Sequence, residues 1–159
     1  KVYSLDRASG EIAWVYPVGS YGGFWVEDDK VYFSGLDKNF YCLNRARGEL
    51  IWKTPFEGGV GLTPAKWGEY LIVTTANDPF YVIRATDGKV VTQGNLGAGT
   101  LGSALSASDG WFYIVSNFGN LFSFQLNKTI PRFLEPAVVR PFSAILRESN
   151  QPNKFNERS

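Results

Sequence analysis

Val2-Tyr3-Ser4-Leu5-Asp6-Arg7-Ala8-Ser9-Gly10-Glu11-Ile12-Ala13-Trp14 returns as Phe40-Tyr41-Cys42-Leu43-Asn44-Arg45-Ala46-Arg47-Gly48-Glu49-Leu50-Ile51-Trp52. It returns again as Phe80-Tyr81-Val82-Ile83-Arg84-Ala85-Thr86-Asp87-Gly88-Lys89-Val90-Val91, and a weaker fourth copy begins at Leu121-Phe122-Ser123-Phe124. The aromatic positions Tyr3, Tyr41, Tyr81 and Phe122 are separated by 38, 40 and 41 residues, and the glycines Gly10, Gly48 and Gly88 by 38 and 40. Ten residues upstream of each later aromatic an apolar segment starts: Val31-Tyr32-Phe33, Leu71-Ile72-Val73-Thr74 and Phe112-Tyr113-Ile114-Val115. Three independent features keep one register, so the chain is read as an internal repeat.

Within one repeat, Gly22 to Glu27 supplies a first strand and residues 31–34 a short apolar second strand. Gly35-Leu36-Asp37-Lys38-Asn39 is turn-like, and Phe40 to Leu43 is the third strand. Asn44 to Gly48 is a second turn, in which glycine can take a positive φ. Glu49 to Lys53 is the last strand. About 40 residues holding four short strands make a β-propeller blade. Helical repeats of that length need apolar residues at i, i+3, i+4 and i+7, a pattern absent here. One twisted sheet cannot cover both of its own faces, so blades stack face to face and bury Tyr, Phe, Val and Ile between neighbours.

The expected fold is therefore all-β, a partial ring of blade pieces over residues 1–126: 1–16, 21–56, 59–95 and 99–126. The first piece has two strands and the last has three, with repetition ending near Leu126. These pieces do not close neatly, so a larger parent of about seven or eight blades is expected. Lys1-Val2-Tyr3-Ser4-Leu5 reads as the middle of a strand and is not expected to be the natural start. Residues 127–159 are expected to be an irregular tail, broken by Pro131, Pro136, Pro141 and Pro152. Its plain reading is a frayed end, and its sharper reading a docking arm for a partner.

Composition agrees with strands and tight turns. Among 159 residues, aromatics reach 16%, with 17 Gly. A net charge of +1 offers no field to steer nucleic acid. There is no His, which removes the commonest metal ligand and general base, and a single cysteine, Cys42, excludes an intrachain disulfide. No apolar run approaches the ~18 residues of a membrane-spanning helix.

The pattern Val-Tyr-x-Leu-Asp-x-x-x-Gly-x-x-x-Trp at Val2 to Trp14 resembles the PQQ-like, quinoprotein-type propeller repeat. The copy ending Gly48-Glu49-Leu50-Ile51-Trp52 fits nearly as well, and the third has Thr92 where Trp is expected. The resemblance implies that Trp14 and Trp52 dock onto neighbouring blades, with Gly10, Gly48 and Gly88 in the turns. As such a pin, Trp52 replaced by alanine would leave a cavity costing roughly 3–5 kcal/mol. The family contains enzymes that hold pyrroloquinoline quinone and Ca²⁺, and scaffolds similar to the BamB-like propellers of the outer-membrane assembly machinery. Many of the enzymes carry a disulfide of adjacent cysteines, which this chain lacks. The resemblance favours a non-catalytic scaffold for protein partners, without a cofactor, in the periplasm and associated with the outer membrane. A fragment of a quinone-dependent dehydrogenase and the sensory propeller of a signalling protein are the alternatives.

Cys42 is read as a small buried hydrophobe. Asp28-Asp29 is read as a turn rather than a metal site, and Gly97 to Gly102 as a stretch permitting close packing, since it lacks the lysine and helix of a phosphate loop. The connections between strands two and three, and those between blades, emerge on one face. They carry the candidate partner-binding residues Tyr21, Phe24, Leu36 and Phe118.

Overall fold

The computed structural model describes residues 1–77, 79–100, 102–106, 110–125 and 137–138, and these contain strands and turns without a helix. β1 (Val2–Leu5) and β2 (Ile12–Tyr16) form a two-stranded sheet. β3 (Ser20–Glu27), β4 (Lys30–Gly35), β5 (Asn39–Asn44) and β6 (Leu50–Pro55) form a four-stranded sheet in chain order. So do β7 (Ala65–Trp67), β8 (Tyr70–Val73), β9 (Phe80–Arg84) and β10 (Val90–Gly94). The last sheet is β11 (Leu105–Ser106), β12 (Trp111–Val115), β13 (Leu121–Gln125) and β14 (Ala137–Val138). Every pairing is antiparallel between successive strands. These sheets are the blades.

The period-2 geometry of a strand explains how one blade serves two neighbours. Tyr32 opposes Cys42, and Phe33 opposes Tyr41. Tyr32, Phe40 and Cys42 point one way and pack with Leu71, Val73, Tyr81 and Ile83 of the next blade. Phe33, Tyr41 and Leu43 point the other way and pack with Val2 of the first sheet. Ile72, Phe80 and Val82 repeat the arrangement against Phe112, Ile114 and Phe124. Both faces of the middle strands are thus buried, which is why their sequences are continuous apolar runs rather than alternating ones. Each fully buried Phe, Leu or Val contributes about 1.5–3 kcal/mol. Aromatic stacking crosses between blades as well: Phe56 stacks on Phe40 at 5.8 Å and on Tyr81 at 4.4 Å.

Two features depart from the sequence reading. The last blade gains a fourth strand, because Ala137 and Val138 pair with Ser123 and Phe122. A two-residue strand without a turn glycine or aromatic has no periodic signature. Leu126 and the remainder of the 127–159 segment lie outside the described residues. Tyr21 and Phe24 fall within β3, not in a connection between blades. Strand β3 starts earlier because Ser20 already pairs with Gly35, with an irregularity before Phe24.

Candidate functional site

Two structural patterns emerge: the joints between blades and the turns at one edge of the stack. The joints begin with a local turn. Asp6 accepts hydrogen bonds from the Ala8 and Ser9 amides at 2.9 and 2.8 Å, and Asn44 does the same for Ala46 and Arg47 at 3.0 Å. Asp or Asn there mimics a backbone turn. The Asp6 carboxyl is exposed, and the bonds from Ser9 and Ala8 hold it below the usual carboxylate range. Gly10, Gly48 and Gly88 close these turns with φ of 74°, 69° and 72°.

Glycine is needed at two of them for a second reason. A Cβ on Gly48 would lie 2.5 Å from the Trp14 indole, and one on Gly88 would lie 2.5 Å from the Trp52 indole. Each indole N–H then donates to a carbonyl of the same turn, Trp14 to Arg45 at 2.9 Å and Trp52 to Ala85 at 3.2 Å. The structure therefore brings Trp14 to Gly48 and Trp52 to Gly88. Gly10 has the same turn, but no other group lies within 4 Å of where its Cβ would be. An ion pair between Lys66 and Glu27 adds a link from β7 to β3.

A repeated polar contact was not read from the sequence. Ser34 and Thr74, at the ends of equivalent second strands, are fully buried. Their hydroxyls donate to carbonyls of the following connection, Ser34 to Leu62 at 3.0 Å and Thr74 to Gly102 at 2.9 Å. Their only sequence signal is a small hydroxyl residue closing an apolar run.

The turn edge is held firmly. Leu36 N–H donates to Gly19 at 2.8 Å, and Phe56 N–H to Lys38 at 2.8 Å. Asp37 accepts from the Tyr41 hydroxyl at 2.5 Å and from Asn39 at 2.9 Å. Burial alone would raise the Asp37 carboxyl, but the bonds from Tyr41 and Asn39 outweigh it and hold the group low. In the last blade, Asn117 N–H donates to Gly99 at 3.2 Å and its side-chain amide to Ala98 at 2.6 Å. A Cβ on Gly99 would collide with the Ala76 carbonyl, so the glycine-rich stretch allows two connections to touch.

On this braced edge, Leu36 and Phe118 stand 55% and 79% exposed, and Tyr21, at the start of β3, is 74% exposed. Phe24 belongs elsewhere. Its ring leans on Phe33 at 5.6 Å, and it is half-covered on the sheet face beside β1 and β2.

Cys42 and the Asp28-Asp29 pair occupy a strand and a turn. Cys42 is fully buried, and burial pushes its thiol up to about 12. Asp28 and Asp29 form the β3–β4 turn, and their carbonyls accept hydrogen bonds from the Arg45 side chain and backbone. Among the described residues no three His, Cys, Asp or Glu side chains are grouped to hold a metal ion.

Up-and-down four-stranded blades, stacked face to face and pinned by indoles over turn glycines, define a β-propeller built from quinoprotein-type repeats. A family model described as outer membrane protein assembly factor BamB matches residues 1–108, and the chain belongs to that family. It is 28% identical over 108 residues to outer membrane protein assembly factor BamB of Yersinia pestis, covering 67% of this chain and 28% of that one. It is 26% identical over 122 residues to the same factor of Legionella pneumophila (strain Paris), covering 76% of this chain and 31% of the relative. The crystal structure of BamB from Moraxella catarrhalis superposes with a TM-score of 0.64 at 20% identity, over 76% of this chain and 36% of that one. The chain thus spans less than a third of the length of the two sequence relatives.

Proposed function

We propose that this chain is part of a non-catalytic propeller scaffold that holds a protein partner during outer-membrane protein assembly, on the periplasmic side of a bacterial envelope. Family membership supports the setting. The observation that carries the binding role is the braced turn edge with large apolar side chains, Leu36 and Phe118, left uncovered. Apolar groups on pre-organised turns lose little entropy on docking, so more of their burial appears as affinity. No cofactor enters this reading.

The test replaces Tyr21, Leu36 or Phe118, one at a time, by a photo-crosslinking amino acid in bacterial cells, with Glu11 as a control. Glu11 sits at the β1–β2 turn, at the opposite end of the strands from the β4–β5 turn. Light-dependent adducts with an outer-membrane assembly component are expected from the first three positions and not from Glu11. Adducts from Glu11 alone would refute the assignment of this edge.

A further inference from the structure

Each turn glycine of the repeat has a different residue before it: Ser9 before Gly10, Arg47 before Gly48 and Asp87 before Gly88. The third pair carries chemistry that the other two lack. An aspartyl carboxyl is open to attack by the amide nitrogen of the next residue, which closes a five-membered ring. Glycine in that next place removes the side chain that hinders the attack.

The fold occupies both reacting groups. Gly88 is buried, and its N–H donates to the Arg84 carbonyl at 2.9 Å. From the preceding blade, the Thr54 hydroxyl donates to the Gly88 carbonyl at 2.5 Å. Trp52 lies over Gly88 and donates to Ala85, so the amide is sealed beneath an indole. Asp87 stands at the surface, where the Lys89 N–H and the Arg84 guanidinium each donate to its carboxylate at 3.1 Å. The Lys89 bond first, and the charges of Arg84 and Lys89 after it, hold this carboxyl below the usual carboxylate range. The ionised form has no hydroxyl to lose to an attacking nitrogen.

We propose that Asp87-Gly88 is a site of spontaneous covalent modification gated by the joint between the second and third sheets. The seating of Trp52 on Gly88 keeps the pair inert, and opening of the joint lets it rearrange to isoaspartate. In that rearrangement the Gly88 nitrogen bonds to the side-chain carboxyl carbon of Asp87. The nitrogen gives up its proton, and one carboxyl oxygen leaves as water. A second water then opens the ring at the former main-chain carbonyl, with no net change in mass and no other reactant. The product runs its main chain through the Asp87 side chain and is one atom longer. It no longer fits beneath the indole, where even a Cβ on Gly88 would lie 2.5 Å from the ring. A transient opening of the joint thereby becomes permanent. The inference rests on the blade joint and is independent of the partner-binding edge.

The test incubates the full chain for weeks at neutral pH, folded and in urea. Isoaspartate is counted by methyl transfer with a protein isoaspartyl methyltransferase. Peptide mapping with electron-transfer fragmentation separates Asp87-Gly88 from Asp109-Gly110, the other such pair of the sequence. At position 87 the folded chain is expected to react at least about tenfold more slowly than the unfolded chain, because only locally opened molecules react. Trp52→Ala should raise the folded-state rate severalfold. Trp14→Ala, which unseats the preceding joint instead, should leave it unchanged. Asp87→Glu should silence the site in every state, since a six-membered ring closes far more slowly. Equal rates at Asp87 in the folded and unfolded chains overturn the proposal, as do equal rates in the parent and folded Trp52→Ala. Trp14→Ala acting as strongly as Trp52→Ala assigns the protection to overall stability and overturns the gate. Thr54→Val, which removes the bond to the Gly88 carbonyl, takes the place of Trp52→Ala under the same criteria should that variant not fold.

Discussion

An indole resting on a glycine contributes its buried ring and one hydrogen bond, and both depend on a side chain being absent beneath it. Trp52 is only partly buried, with its N–H on Ala85. Trp52→Ala should therefore cost less than a fully buried aromatic, about 2–3 kcal/mol, read as a lower urea midpoint with an unchanged slope. The glycines should separate by what lies over them. Gly88→Ala strains a φ of 72° and pushes the indole aside, and should cost about 3 kcal/mol. Gly10→Ala meets the strain alone, for about 1 kcal/mol. Equal losses at both sites would show that backbone strain, not the indole seat, decides. The repeat made these residues visible in the sequence. The pairing did not, because each indole meets its carbonyl 31 or 33 residues away, with no local pattern linking them.

At the scale of the strand, period-2 alternation was legible only in part. Continuous apolar runs such as Tyr32-Phe33 and Phe40 to Leu43 told of burial on both faces, and the fold confirms it. The hydroxyl that ends the run was opaque, because its acceptor lies in the next blade. Ser34→Ala removes the bond to the partly buried Leu62 carbonyl and should cost about 1–2 kcal/mol in chemical denaturation. Ser34→Thr, the residue type found at Thr74, should retain more of the stability. A silent Ser34→Ala would place that carbonyl in contact with water. Phe24 lies in β3 rather than in a loop, and how far its ring is covered depends on the neighbouring sheet, which strand periodicity does not describe.

Across the whole molecule, the stacked blades bury ionisable groups in their protonated forms. Burial pushes the Cys42 thiol from 9.0 to about 12 and raises the Tyr32 and Tyr41 phenols above 10.0. The folded chain keeps these protons at pH values where the unfolded chain has released them. Stability is thus full below about pH 9 and declines as pH rises toward 12, which urea midpoints across that range would register. Cys42→Ala should flatten part of the decline. The same burial predicts that Cys42 resists thiol reagents at neutral pH until the chain unfolds; modification of the folded chain would contradict the packing. By itself the sequence determined the blade: strand spacing, turn chemistry and apolar runs are local properties that repeat and so can be counted. Only the tertiary structure decided which glycine lies beneath which indole, which hydroxyl bridges two blades, and which apolar side chains stay uncovered. Those are contacts between repeats, set by how one sheet sits on the next, and distance along the chain carries no record of them.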